Sequence, residues 1–383
     1  MSESVIYNPY VRHEKLDVLI QCMERVVEES PPAYKETAGL LLNLLKSKNK
    51  GTGIYPETFM AMSNRGGGKT YPFTKCLLYA AMDHGFKIGL LCRTKTQMGN
   101  HFKGVFGATL DDVFPEWTVS EKICSNMYGL VTLSKEEEVR EIGYVLPLNA
   151  AGSLKDHSSR IKDCDVLFLD EFQSTDSIPD EMAKYDTMHL TVARGSDTDG
   201  NDYGTRYLPT VLCSNSLSIT NKYMAFFGLM NKIQKNTKLY RGEGISLLRF
   251  KNEIVADNQR RTAYHRSKIH TRQDDSDLDN AWLNDSDACI GKPKGQSYYM
   301  ATVIDGNVTY GVHYYYEAGM YYIGRNVDSY SRRTYVIQPG GQLNTATIRT
   351  AYIFQELRDA YSHGLVMFAD QGLKALIDKI YIY

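Results

Sequence analysis

The stretch FMAMSNRGGGKTYPF, Phe59 to Phe73, constrains this chain more than any other. An apolar run ends in three glycines, a lysine and a threonine, and apolar residues then recur every four positions at Phe73, Leu77 and Ala81 until His84-Gly85. That order is strand, glycine loop, helix. Pro72 fits such a helix only in its first turn, where no backbone donor is lost. A loop of this kind can wrap its N–H groups around phosphate oxygens at a helix N-terminus. Gly66, Gly67 and Gly68 would allow the close approach, Lys69 would reach the β and γ oxygens, and Thr70 would place its hydroxyl on Mg²⁺. Ser63, Asn64 and Arg65 complete the candidate phosphate loop. Ser63 stands where the strict G-x-x-x-x-G-K-[ST] pattern has glycine, so the loop alone also fits a plain strand-to-helix turn.

A second motif favours the nucleotide reading. DVLFLDEF puts Asp170 at the end of a short apolar run, with Glu171 directly after it. Ligands of parallel sheets bind at the carboxyl ends of strands. Two adjacent carboxylates are costly there without a partner, whereas a magnesium ion for Asp170 and a water to be oriented and deprotonated by Glu171 give each a role. A third run, LPTVLCSN, ends in Ser214 and Asn215, which fit either a γ-phosphate sensor or ordinary turn chemistry. With KIGLLCR (Lys87 to Arg93), these apolar runs alternate with helical patterns and predict an α/β domain around a mainly parallel sheet. Upstream, Lys15 to Ser47 reads as helical with a break at Pro31-Pro32.

Length and charge set the remaining bounds. The 383 residues are long enough for two domains, and 44 basic against 45 acidic side chains leave only a local patch for any polyanion. The seven scattered cysteines predict reduced, mostly buried thiols rather than disulfides or structural zinc. No apolar run approaches membrane-spanning length, and the N-terminal residues lack the apolar core of a signal peptide, so no membrane role is expected.

The carriers SNRGGGKT, IGLLCRTKTQMGNHFKGVF, SLKDHSSRIKDCDVLFLDEF and TVLCSN together resemble the DNA packaging ATPases of tailed phages. These are the terminase large subunits, and the match is best to the smaller encapsidation proteins of phi-29-like podoviruses. The resemblance covers Phe59 to Asn215. It implies a P-loop ATPase of the additional-strand (ASCE) class using ATP and Mg²⁺, with Arg65 and Lys69 joining Glu171 among the catalytic residues. It further implies a homo-oligomeric ring, expected as a pentamer, on the portal (connector) of an empty procapsid. There it would translocate double-stranded DNA, with a structural RNA or terminal protein as further candidate partners. The expected location is the host cytoplasm, transiently at the portal vertex, and not the mature virion. Family members use an arginine from the neighbouring subunit on the transferring phosphoryl; Arg194, in TVARGSD, is the candidate, though a solvated or DNA-binding arginine fits as well.

By these signals the chain divides into an ATPase domain at 1–250 with a helical segment at 1–50, a linker at 251–295 rich in aspartate, and a smaller α/β domain at 296–383. In the last, YYMATVID, VTYGVHYYYE and MYYIGRN predict a β-meander and TATIRTAYIFQELRDAYSHG a helix ending at Gly364. Terminases carry an RNase H-like nuclease here, whose metal site needs an aspartate inside the first strand. Asp305 reads instead as part of a hairpin turn, and Glu317, Asp328, Asp359 and Asp370 do not obviously converge, so a degenerate, non-cleaving RNase H-like domain is expected. Arg325, Tyr330 to Tyr335, and Arg260 to Arg272 are candidate phosphate contacts, with a solvated basic face as the alternative. The tyrosines are expected as core and cross-strand pairs. Two rival functions stay open: a terminase large subunit with an active nuclease, and a P-loop switch that binds a protein partner without DNA. No motif marks an adenine pocket, for which the N-terminal helices are one candidate source.

Overall fold

The computed structural model describes residues 8–173, 178–194, 206–216, 218, 221–230, 232–233, 236–267, 278–279, 289–305, 308–336 and 352–375. Two compact units emerge: 1–217 with 236–283, and 218–235 with 284–383.

The first unit opens with helices α1 (Glu14–Glu29) and α2 (Pro32–Leu45). In α1 the three- and four-residue spacing of Leu16, Leu19, Ile20, Met23 and Val26 turns one apolar face inward, and His13 caps the helix by accepting from Lys15 N. Pro32 occupies the first turn of α2, where its missing N–H costs nothing. Both helices contribute to the same core as α3 (Thr70–His84). The latter ends where Gly85 takes a left-handed φ of 71°.

Nine strands form the sheet: β1 (Thr58–Ser63), β2 (Ile88–Cys92), β3 (Thr118–Cys124), β4 (Tyr128–Lys135), β5 (Glu138–Pro147), β6 (Val166–Leu169), β7 (Thr210–Asn215), β8 (Leu239–Arg241) and β9 (Ile245–Phe250). Their order is β3-β4-β5-β2-β6-β7-β1-β9-β8. From β5 to β9 every neighbour is parallel. All residues of β1, β2 and β6 are buried, as strands covered on both faces must be. The order also inserts β7 between β1, which carries the glycine loop, and β6, which carries Asp170; this is the additional strand. Antiparallel β3, β4 and β8 extend the edges. These edge strands, with β5 and β9, were not among the strands expected from the sequence, because β3 alternates exposed and half-buried residues and lacks an apolar run.

The stretch 251–295 departs from its expected role as a linker. It begins with the helix Glu253–Arg261, capped by Asn252, and residues to 283 group with the first unit. Conversely, 218–235 group with the second unit although they precede the expected boundary at 250. Most of the aspartate-rich segment lies outside the described residues.

The second unit carries β10 (Ser297–Asp305), β11 (Val308–Tyr315), β12 (Met320–Gly324), β13 (Thr334–Val336) and β14 (Val366–Phe368), in the order β13-β10-β11-β12-β14. The three-strand meander is antiparallel, with parallel β13 and β14 on its edges. Asp305 is the last residue of β10 and pairs with Val308, so it belongs to the strand end and not to the turn itself. The helix Tyr352–Ser362 packs Ile353 and Leu357 into the core, and Gly364 has φ 71°; the residues expected to extend that helix towards Thr345 lie outside the described ones. Tyr314 faces Tyr321 across the ladder at 4.9 Å between ring centroids, as cross-strand pairing requires. All seven cysteines are unpaired thiols and five are buried. Among the described residues, no helix is long and apolar enough to cross a membrane.

Candidate nucleotide site

The ends of β1, β7 and β6 lie side by side at one edge of the sheet, since the strands are parallel neighbours and Ser63 pairs with Asn215. Each delivers one piece of the site. From β1 the chain enters the glycine loop, in which Gly66 and Gly68 hold φ of 72° and 83°. A side chain at Gly67 would place its Cβ 2.6 Å from Ser63 Oγ, so the loop closes tightly on itself. Ser63 is therefore accommodated at the first position, fully buried, with its hydroxyl on the carbonyl of Asn64.

Lys69 and Thr70 point back to the neighbouring strands. Lys69 Nζ donates to Asn215 Oδ1 at 2.8 Å, and Thr70 Oγ1 sits 3.2 Å from both carboxylate oxygens of Asp170. Burial lowers the ammonium pKa of Lys69, opposed by Cys213, Asp170 and Glu171. Burial raises the Asp170 carboxyl, opposed by Lys69 and reinforced by the charge of Glu171. A hydroxyl and a buried carboxylate so placed are hard oxygen donors of the kind magnesium takes, and a divalent charge would offset the cost of burying Asp170. The donor set fits that ion.

Glu171 follows with its side chain exposed and its backbone at φ 55°, a left-handed conformation that a non-glycine residue adopts only when held. What holds it is Arg93, at the end of β2. Its Nη2 donates to the carbonyls of Glu171 and Phe172 at 2.9 and 3.1 Å, while its Nε lies 3.3 Å from Oε1 of Glu181, whose side chain is fully buried. Glu181 in turn accepts from Ile178 N at 3.2 Å. In the sequence Arg93 marks only part of a family pattern; its signal as a positioning residue is an arginine following a buried strand next to the one that leads to Asp170.

A second device missed by sequence reading braces the loop from the far side. Asn64 is fully buried, and its side-chain oxygen accepts from Asn252 N at 3.0 Å. Asn252 donates to Ala33 O and Thr37 Oγ1 at 2.9 and 3.1 Å and accepts from Val255 N, capping its own helix. Thr37 donates to Gly67 O at 3.1 Å. Three elements, the glycine loop, α2 and the helix Glu253–Arg261, thus meet through three polar side chains, and the Asn64 side chain braces the loop. Arg65 is exposed, its carbonyl accepting from Gln259 at 3.3 Å.

Arg194 ends the helix Glu181–Ala193 and is exposed, apart from the cluster just described. Two candidate DNA contacts are engaged by carboxylates: Arg260 with Asp257 at 2.9 Å and with Asp279, and Arg325 with Asp370 at 2.9 Å. Residues 268–272 of the basic stretch lie outside the described ones. No group of three or more His, Cys, Asp or Glu able to share a metal ion occurs among the described residues.

The DNA packaging protein of Bacillus phage B103 is 23% identical over 323 residues, spanning 82% of this chain and 92% of that protein. That of Bacillus phage phi29 is 22% identical over 248 residues, 62% and 70% of the two chains. Among solved structures, a chain of the bacteriophage Phi-29 viral genome packaging motor assembly superposes with a TM-score of 0.56 at 17% identity, covering 84% of this chain and 94% of that one. The Phi-28 gp11 DNA packaging motor gives 0.52 at 14% identity, covering 86% and 94%. At these identities the likeness speaks for the α/β ATPase fold alone. The sequence model of the podovirus DNA encapsidation protein (Gp16) matches residues 57–382, from just before β1 almost to the last residue, and the chain belongs to that family of phage DNA encapsidation proteins.

Proposed function

We propose that this chain hydrolyses ATP, with Mg²⁺, to drive viral double-stranded DNA through the portal into an empty procapsid. The observation that carries the reading is the meeting of Lys69 with Asn215 and of Thr70 with Asp170 at the ends of three adjacent parallel strands. The relatives' description as DNA packaging proteins supports the substrate.

In this reading Gly66 to Lys69 cradle the phosphates through backbone N–H groups, and the Lys69 ammonium leaves Asn215 for the β and γ oxygens. Thr70 and Asp170 hold magnesium, which when bound neutralises charge developing on the phosphate oxygens. Glu171 orients the attacking water and accepts its proton on the carboxylate. Arg93 keeps that carboxylate in place through the two carbonyls behind it. Asn215, bonded to Lys69, is positioned to register loss of the γ-phosphate and pass it along β7. Arg194, exposed at a helix end, is the candidate that reaches a neighbouring subunit's phosphoryl group, with Arg65 a second exposed cation on the loop.

The working assembly is a homo-oligomeric ring, expected as a pentamer, at the portal vertex in the host cytoplasm. The smaller unit is read as an RNase H-like domain without cleavage, a reading supported by the lack, among the described residues, of any group of three or more His, Cys, Asp or Glu able to hold a metal ion. Basic side chains that grip phosphates without reading bases suit a motor indifferent to sequence.

Steady-state ATP hydrolysis with and without double-stranded DNA, with Glu171→Gln as control, tests the reading. DNA stimulation lost in the variant is expected. A wild-type rate that ignores DNA, measured on procapsids carrying the portal, favours the protein-partner switch; metal-dependent cleavage of DNA favours a nuclease-competent terminase.

A further inference from the structure

On the sheet of the second unit, tyrosines stand opposite one another on the face that the helix Tyr352–Ser362 covers. Ile353 and Leu357 of that helix share a core with Ala301, Val312, Ile323 and Phe368, which form one row across the ladder. The next row on the same face is Tyr298, Tyr314 and Tyr321, paired across β10, β11 and β12. Tyr316, two residues on from Tyr314, meets its ring at 5.2 Å between centroids. Tyr352 opens the helix one turn before Glu356, and its phenol acts electrostatically on Tyr321. The first row is sealed by the helix; the tyrosines are not. Tyr298, Tyr316 and Tyr352 are 49%, 65% and 79% exposed. Aromatic rings gathered on one face and left in water mark an interaction surface, and tyrosine, apolar in body and polar at the tip, is a frequent anchor of protein interfaces.

Charge indicates what the partner carries. Glu356 accepts from the Tyr321 hydroxyl at 3.3 Å. Glu317 follows Tyr316 in the turn to β12, where a Cβ at Gly295 would lie 2.5 Å from its Oε2. Neither carboxylate pairs with a lysine or arginine among the described residues, whereas Asp370 of the same unit is held by Arg325 at 2.9 Å. Negative charge beside the rings repels phosphate and so disfavours nucleic acid. A guanidinium suits both features: its plane stacks on a tyrosine face, and its N–H fork takes a carboxylate.

We propose that this tyrosine face docks an arginine-bearing segment of a partner protein, whose guanidinium groups stack on Tyr316 and Tyr352 and pair with Glu317 and Glu356. No residue of the nucleotide site takes part, so the docking stands apart from ATP hydrolysis.

Fluorescence anisotropy of the full chain tests it with three labelled probes: a short peptide alternating glycine with arginine, the same peptide with lysine, and single-stranded oligothymidine. Wild type should bind the arginine peptide about tenfold more tightly than the lysine one. Tyr316→Ala with Tyr352→Ala should weaken it about tenfold, and Glu317→Gln with Glu356→Gln by a similar factor, while basal ATP hydrolysis and thermal melting stay at wild-type values. Tyr316→Phe with Tyr352→Phe keeps both rings and should keep the affinity. Failure of the arginine peptide to bind, equal binding of the two peptides, or full affinity in the alanine pair overturns the proposal. So does oligothymidine binding that the alanine pair abolishes, which would make the face a platform for stacked bases. Sedimentation velocity covers the other occupant: self-association of wild type that the alanine pair abolishes would give the face to a second copy of this chain instead.

Discussion

Arg93 offers the sharpest separation of stability from turnover. Its guanidinium makes two charge-assisted hydrogen bonds to the carbonyls of Glu171 and Phe172 and pairs with the fully buried Glu181. Arg93→Met leaves the Glu181 carboxylate without that cation, a defect costing about 3–5 kcal/mol against a typical domain stability of about 5–15 kcal/mol. Adding Glu181→Gln removes the stranded charge, and the amide oxygen can still accept from Ile178 N. Most of the lost stability should return, to within about 1–2 kcal/mol of wild type. Turnover should not. The Glu171 backbone, at φ 55°, carries about 1–2 kcal/mol of conformational strain that the Arg93 bonds offset. Without them the turn relaxes and the carboxylate shifts, and misplacement by an ångström or so lowers kcat about 10- to 100-fold. KM for ATP should change less than about threefold, since the loop and Lys69 are untouched. Urea denaturation and DNA-stimulated ATP hydrolysis on the single and double variants make the measurement. A double variant as stable as expected that turns over within about twofold of wild type would show that Arg93 serves only to neutralise Glu181.

Other consequences are open to direct measurement. Asn252→Ala removes a helix cap and two buried hydrogen bonds, so chemical denaturation should report a loss of about 2–3 kcal/mol, with KM for ATP raised as the loop loses its brace. Burial pushes the Glu57 carboxyl up to about 7, against the hydrogen bond from Leu208 N. The folded state then holds a proton that the unfolded chain releases near pH 4.5, so stability falls as pH rises from about 4.5 to about 7. Glu57→Gln, which keeps the acceptor for Leu208, should flatten that slope in thermal melts across this window; an unchanged slope would assign it to other groups. Mixing Arg194→Ala with Glu171→Gln subunits should restore part of the lost ATPase activity if Arg194 acts on its neighbour, and no recovery at any ratio would remove it from that role.

Much of the site was legible because its parts are local. A phosphate loop needs glycines at left-handed φ, a preceding buried strand and a following helix, and all of these are written within Phe59 to His84. Asp170-Glu171 after a four-residue buried strand and Asn215 at the end of another are equally local. So are the Pro31-Pro32 break and the hairpin meander. These features depend on backbone preference and on short-range periodicity, which survive in the order of residues alone. The chain's own sequence therefore determined the kind of domain, the loop and the acidic pair.

Tertiary structure decided what those parts touch. Asn64 and Asn252 are 188 residues apart, Thr37 lies 30 residues before Gly67, and Arg93 reaches carbonyls 78 residues away. A single asparagine or arginine carries no periodic signal, and only the folded sheet brings it to its partner. The same holds for Arg260 and Arg325, basic in sequence yet paired with Asp279 and Asp370, and for Tyr34, whose place against Gly68 follows from how α2 packs. Strand order is decided there too: that β7 lies between β1 and β6, and so sets Asn215 beside Lys69, depends on which apolar faces bury one another across the whole sheet.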